Sequence, residues 1–364
     1  MDKYFHFDDI FQDYTKYSLK IPKNMYLKSG LYPIIDQGKE EIAGYSDKNI
    51  NIFDKIPVII FGDHTRIFKY IDYPFFLGAD GVKILKNTSS LFLDKYLYYS
   101  LKNFKIPNTG YNRHFKWLKD FKIKYISLAK QEKIVSLIEK IEYFILKKKE
   151  QLKYLKKLNK SLFTSMFEDI KTNDKNWKSL EIKEVSNILT RGKTPKYTSL
   201  SNIFVINQAC IYWDKIKYEN IKFHIEEENL LFLKNKDILI NSTGTGTLGR
   251  MNIIKNIINE KFTVDSHVML LRLEKEKASP VYFINIFMRE EYQKELILKC
   301  VNGSTNQIEL SKEKFAKFKI PVPPIELQNK FAERVEKIEK LSFIISSVIF
   351  KISEILKKKG VESN

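Results

Sequence analysis

The sequence predicts an α+β chain in which two related, strand-rich globular domains alternate with two long helices that pair as a coiled coil. Three observations carry this: an internal repeat, two long apolar seams, and short β-branched runs broken by turn residues. The repeat has a constant offset of 197. Phe121-Lys122-Ile123 recurs as Phe318-Lys319-Ile320, Gln131 as Gln328, Lys133 as Lys330, and Glu139-Lys140-Ile141-Glu142 as Glu336-Lys337-Ile338-Glu339. Nine identities in 22 ungapped positions mark a duplicated unit, the first thing to seek in a sequence of this length.

The first domain is assigned to residues 1–127 and the third segment, residues 170–323, is its relative. Tyr32-Pro33-Ile34-Ile35-Asp36-Gln37-Gly38 resembles Ile203-Phe204-Val205-Ile206-Asn207-Gln208-Ala209, and Pro57-Val58-Ile59-Ile60-Phe61-Gly62 resembles Asp237-Ile238-Leu239-Ile240-Asn241-Ser242. Such runs, bounded by Gly, Asn, Asp and Pro, read as strands and loops. Residues 128–169 form a central helix. Its apolar positions Ile134, Ile138, Ile141, Ile145, Leu152 and Leu155 are spaced four and three apart. Residues 324–360 repeat the pattern through Val335, Ile338, Ile345, Ile349 and Ile352. That spacing keeps one narrow seam, the requirement of a coiled coil. Lys148, Asn159 and Ser342 interrupt it, and polar seam positions favour a specific partner over self-pairing. Pro323-Pro324 suits the first turn of the second helix, where a missing N–H is harmless. Two amphipathic helices docked separately on their own domains are the alternative.

The chain has 364 residues and a net charge of +19, which points first to a polyanionic partner, because basic groups near phosphates release condensed counterions. The excess is spread over the chain, +6 on residues 1–129 and +7 on residues 170–325, so no single basic tail explains it. An apolar content of 43% excludes a mainly disordered chain. No apolar run approaches the roughly 20 residues of a membrane span, and the N-terminus shows no export pattern. Cys210 and Cys300 are the only cysteines, too few for a disulfide framework or a cysteine-based zinc site. The expectation is a cytoplasmic, membrane-free protein. The five His show no metal spacing, and neither a P-loop nor a nucleophile elbow occurs. No catalytic residues, no metal and no cofactor are therefore assigned to this chain.

Several strings together resemble the specificity subunit of type I restriction-modification systems. They are Phe318 to Gln328 leading into the last helix, Asn241-Ser242-Thr243-Gly244-Thr245-Gly246-Thr247-Leu248-Gly249-Arg250, Trp177 to Leu180, Thr190-Arg191-Gly192-Lys193-Thr194-Pro195, and Gly62-Asp63-His64-Thr65-Arg66. The first repeat departs from the pattern, lacking Pro-Pro before its helix and an opening Trp. The resemblance implies two target recognition domains, each reading one half of a split site in double-stranded DNA. It implies an antiparallel coiled coil that spaces them and carries two modification (methyltransferase) subunits. S-adenosylmethionine would belong to those subunits, and cleavage to motor-nuclease subunits of the full complex.

Within that frame, His64, Thr65 and Arg66 form a polar loop after a strand, and Arg can grip guanine bidentately; pairing of Asp63 with Arg66 is the competing reading. Asn108, Tyr111, Asn112, Arg113 and His114 precede the first repeat as Asn302, Thr305, Asn306 and Gln307 precede the second, and amides can read adenine. Arg191 and Lys193 read as phosphate contacts or as an exposed basic turn. Thr243, Thr245, Thr247 and Arg250 lie in a Gly-rich loop able to approach phosphate. Gly244 to Gly249 also satisfies the dinucleotide-binding pattern, with Asp265 about twenty residues on. The Asn-rich, β-branched stretch that follows is poor material for the helix which that reading requires. A stand-alone DNA-binding protein, a nucleotide-binding enzyme and a purely structural coiled coil are the rival functions.

Overall fold

The computed structural model describes residues 3–78, 81–227, 229–257, 260–303 and 308–358. The chain forms two compact units, Met1–Gln151 with Ile345–Asn364, and Leu152–Ile344.

In the first unit the elements run β1 (Tyr4–His6), α1 (Phe7–Ile10), β2 (Phe11–Asp13), β3 (Tyr32–Ile35), β4 (Gly44–Ser46), β5 (Val58–Gly62), β6 (Phe68–Ile71), β7 (Phe76–Leu77), β8 (Val82–Asn87), α2 (Asp94–Asn103), β9 (Lys122–Lys124) and the start of α3 (Leu128–Phe167). One sheet has the order β2-β8-β5-β6 and a second the order β4-β3-β7, while β1 pairs with β9. β5 is buried at every position, so its alternating side chains must fill two cores. Ile59 and Phe61 join Leu97 and Leu101 of α2, whereas Val58 and Ile60 join Ile71 and Phe75 on the opposite face.

The second unit repeats this plan. Its elements are β10 (Ser179–Glu181), β11 (Ser186–Arg191), β12 (Tyr197–Thr198), β13 (Ile203–Ile206), β14 (Lys222–His224), β15 (Ile238–Asn241), β16 (Met251–Ile253), β17 (Lys261–Val264), β18 (Val268–Leu273), α4 (Pro280–Phe287), α5 (Glu290–Cys300), β19 (Val301–Asn302), β20 (Glu309–Leu310), α6 (Lys312–Ala316), β21 (Lys319–Pro321) and α7 (Ile325–Lys358). The order β11-β18-β15-β16 matches β2-β8-β5-β6, and β10 pairs with β21 as β1 does with β9. Each unit also has an equivalent parallel strand pairing, β3 with β7 and β13 with β17. Ile238 and Ile240 face the core that holds Phe283 and Phe287 of α4, and Leu239 faces the other.

The compact units cut across the four-part division read from the sequence, because each long helix shares cores with the globular parts. Phe163 and Phe167 near the end of α3 pack edge-on against Phe331 near the start of α7 and enter the main core of the second unit with Val335. Each unit thus combines the leading part of one helix with the trailing part of the other. Ile145, Leu155, Val335 and Ile345 are buried, and Ile141, Leu152, Ile338, Ile349 and Ile352 half-buried. Ile134 departs from its assignment. It is 39% exposed while Val135 is buried, because Val135 and Ile138 face Tyr99 of α2 at this end of α3.

The repeated glutamines explain one of the sequence identities. Gln131 and Gln328 are wholly buried. The Oε1 atom of Gln131 accepts the N–H of Leu93, and its Nε2 donates to the carbonyls of Leu91 and Ile126. The Oε1 atom of Gln328 accepts the N–H of Ser279, and its Nε2 donates to the carbonyls of Lys277 and Pro323. Leu93 and Ser279 are the N-cap residues of α2 and α4, so each glutamine clasps the start of a domain helix to the base of a long one. Buried backbone groups left without partners are costly. Gln328→Leu should therefore destabilise the chain by about 3 kcal/mol, read as a lower midpoint in urea unfolding; an unchanged midpoint would remove the clasp's energetic role.

Candidate nucleic-acid interface

In each unit four segments meet where the central strand of the first sheet ends, and backbone hydrogen bonds place them equivalently. The Asp63 N–H donates to the Gly81 carbonyl, and the His114 N–H to the Asp63 carbonyl. In the second unit the Ser242 N–H donates to the His267 carbonyl, and the Leu310 N–H to the Ser242 carbonyl. Asp63 therefore corresponds to Ser242 and Gly62 to Asn241, one residue away from the match drawn on sequence. The pre-helix segments thus reach the same place in their units at His114 and Leu310.

In the first unit, Asp63 is buried and its carboxylate accepts the N–H groups of His114 and Phe115, both at 2.7 Å. Asp63 is thus committed to the 105–114 segment rather than to Arg66. Arg66 adopts a left-handed backbone, φ 62°, and its guanidinium reaches the Ile106 carbonyl at 3.4 Å. His114 requires a correction: it is fully buried, with Nδ1 3.0 Å from the Asp63 carbonyl oxygen, so it ties two loops together and presents nothing to a ligand. The exposed groups are Thr65, Asn108, Tyr111, Asn112 and Arg113. Asn108 and Asn112 brace their own turn through the Gly110 N–H and the Thr109 carbonyl. Tyr111 is 86% exposed and stacks on His64, with centroids 4.7 Å apart and planes 9° apart. One ring face of Tyr111 is thereby covered.

In the second unit, β15 runs through the Gly-rich turn into β16, and the two strands pair antiparallel. No helix follows Gly249, so the dinucleotide reading lacks the helix N-terminus that would hold a pyrophosphate. Gly244 and Gly249 carry φ of +90° and +79°, conformations open to glycine at little steric cost. Thr245 stands exposed at the tip. Thr247 faces inward instead, its hydroxyl donating to the Thr243 carbonyl at 3.0 Å. Arg250 donates to the Gly246 carbonyl and lies over the Tyr212 ring, which Lys217 approaches as well. Arg191 also departs from its assignment as a phosphate contact: it pairs with the Glu309 carboxylate and donates to the Leu310 carbonyl, half-buried against β20. Lys193 stays exposed, its ammonium 3.3 Å from the Asn229 carbonyl. Asn302 is exposed on β19, while Thr305, Asn306 and Gln307 lie outside the described residues.

The structure adds residues that sequence reasoning passed over. Gln37 and Gln208 stand at equivalent positions just beyond β3 and β13, and their Oε1 atoms accept from the His64 N–H at 3.2 Å and the Thr243 hydroxyl at 3.1 Å. His267 approaches the same hydroxyl through Nδ1 at 3.0 Å. Beside it, burial pushes the Asp265 carboxyl above its ordinary range, against the N–H and the charge of His267. The Asp36-Gln37 and Asn207-Gln208 match was the available signal for the glutamines. Tyr212, Lys217 and His267 carried none, because their proximity is created by chain segments distant in sequence. Among the described residues, no group of three or more His, Cys, Asp or Glu is placed to hold a metal ion.

A duplicated strand-rich unit bearing loop clusters on long helices defines the class: a two-module recognition scaffold. Residues 174–352 match the family model described as the type I restriction modification DNA specificity domain. The chain is 23% identical over 371 residues to the EcoR124I/EcoR124II specificity subunit of Escherichia coli, covering 95% of this chain and 88% of that one. It is 25% identical over 298 residues to the MjaVIII specificity subunit of Methanocaldococcus jannaschii, covering 73% and 69%. Its fold is similar to that of the S subunit of a type I system from M. genitalium, with a TM-score of 0.62 and 16% identity over 100% of this chain and 96% of that one. Residues 174–352 thus carry a type I restriction-modification DNA specificity domain, and most of the chain's length is similar to specificity subunits of such systems.

Proposed function

We propose that this chain is the non-catalytic DNA-recognition subunit of a type I restriction-modification complex. Each unit reads one half of a bipartite target in double-stranded DNA, and the long helices set the distance between the halves. The observation that carries this reading is the equivalent placement of the loop cluster in both units, which duplicates a reader as a two-part site requires. The net charge of +19, shared by both halves, supplies affinity through phosphate contacts, and the loops supply base selection.

The helices also offer surface to partners. Tyr143 and Tyr154 of α3 are 62% and 68% exposed, and Phe343 and Phe350 of α7 are 74% and 64% exposed. Exposed aromatic residues in such number mark protein contact, and two modification subunits are the partners this reading assigns to them. S-adenosylmethionine binds in those subunits, and DNA cleavage belongs to the motor-nuclease subunits of the full complex. The complex works in the cytoplasm; no helix among the described residues is long and apolar enough to cross a membrane.

The test is co-expression with the cognate modification subunits, followed by genome-wide mapping of methylated bases. A single split motif is expected; an undivided motif, or none, would refute the reading. A second expectation concerns assembly. Replacing Phe343 and Phe350 with Asp should leave the thermal unfolding of the chain unchanged but abolish its co-purification with modification subunits. Retained co-purification would exclude this part of α7 as a docking surface.

A further inference from the structure

Both units place a glutamine where it can organise the loop leaving the central strand. Asp36 Oδ1 accepts the N–H of Gly38, and Asn207 Oδ1 accepts the N–H of Ala209, so the same side-chain turn carries Gln37 and Gln208. From there Gln37 binds the neighbouring loop twice, and Gln208 binds the loop once and the end of β15 once. Gln37 accepts the His64 N–H at its side chain and the Thr65 hydroxyl at its carbonyl. Gln208 accepts the Thr243 hydroxyl at its side chain and the Asn241 amide at its carbonyl.

The backbone of the neighbouring loops approaches Gln37 closely. A Cβ on Gly62 would come within 2.9 Å of Gln37 Cβ, and one on Gly81 within 3.0 Å of Gln37 Nε2. The segment that bears each glutamine is itself anchored from the adjoining strand. Lys69 is buried on β6 and donates to the Asp36 and Glu40 carbonyls at 2.8 and 2.5 Å. Asn252, at the corresponding place on β16, donates to the Tyr212 carbonyl at 2.7 Å. Lys69 thus secures the turn of Gln37, and Asn252 the chain four residues beyond Gln208. In the second unit the Thr243 hydroxyl has one proton to give. With that proton on Gln208 Oε1, the hydroxyl accepts from His267 Nδ1–H, which orients the imidazole at the edge of the cluster.

We propose that Gln37 and Gln208 are positioning residues for base selection, each holding its unit's post-strand loop, 63–67 or 243–250, in the conformation that meets DNA. Groups that select bases work only when held rigidly by their neighbours, and these glutamines link the second sheet to the loops of the first. The inference rests on the DNA-reading function proposed above and adds which residues govern specificity in each half.

The test uses the full chain assembled with its modification subunits, with methylated-base mapping and competition between half-site variants as readouts. Gln37→Leu should relax preference about tenfold at one half of the target only, and Gln208→Leu at the other only. Thr243→Val removes the opposite end of the same hydrogen bond, so it should reproduce the Gln208→Leu effect and add little to it. Glu variants keep the accepting oxygen and should retain the wild-type base preference, with weaker binding overall from charge repulsion. The proposal is overturned if the Leu variants lower binding to all sequences equally or leave both halves unchanged. It is equally overturned if the Glu variants switch the preferred base, since the glutamines would then be reading bases themselves. A wild-type complex without a split target would instead refute the function, a result distinct from any of these.

Discussion

Exchanging residues 1–125 for the corresponding domain of another specificity subunit is expected to change one half of the DNA target completely and leave the other half intact. The expectation follows from how the domain is attached. Gln131 of α3 holds the incoming segment through the Leu91 carbonyl and the Leu93 N–H, backbone groups that any domain of the same topology supplies. Beyond the buried packing of Val135 and Ile138 on Tyr99, polar ties such as Lys95 with Glu139 are partly exposed, and pairs of that kind contribute little to stability. The loops 63–67 and 105–114, to which base reading is proposed, travel with the exchanged segment, while those of the second unit stay behind. Mapping methylated bases in the chimaeric complex checks this. A change in both halves, or in neither, would refute the modular reading.

Lengthening both helices by seven residues, after Gln151 and after Ile344, is expected to widen the gap between the half-sites. These are the points where the two units divide, and seven residues in each helix preserve a seam that repeats every seven. At 1.5 Å per residue the insertion adds about 10 Å, equal to about three base pairs at 3.4 Å each. Three base pairs also turn the second half-site by nearly a third of a helical turn. Affinity should therefore fall as the gap grows, because the duplex must twist to present both halves. The distance between methylated positions is the readout, and an unchanged gap would exclude the helices as the spacer.

Much of the architecture was legible in the sequence because it is written in patterns of fixed period. The 197-residue offset exposed the duplication, and the four-three spacing exposed α3 and α7. The Gly-rich turn was recognisable as a poor nucleotide site, since Asn and β-branched residues follow it. The interface was less legible. His114 and Arg191 have the side chains of DNA contacts, yet one is buried beside Asp63 and the other is held by Glu309. Ile134 fits the seam by spacing, yet the packing of α2 on α3 buries Val135 in its stead. A residue's type states what it can bind; its neighbours determine whether it is free to do so.

The sequence by itself determined the α+β class, the duplication, the long helices, the family resemblance and the positive charge that suits DNA. All of these depend on composition and on spacing along the chain, which need no tertiary contacts to be read. Only the tertiary structure decided that Gln131 and Gln328 are clasps rather than surface amides, and that Gln37 and Gln208 hydrogen-bond to the chain leaving β5 and β15. It also decided that Asp63 serves His114 rather than Arg66. Those assignments rest on hydrogen bonds only a few ångströms long between residues tens of positions apart. Such bonds follow from the order of strands in each sheet, and no local pattern encodes that order.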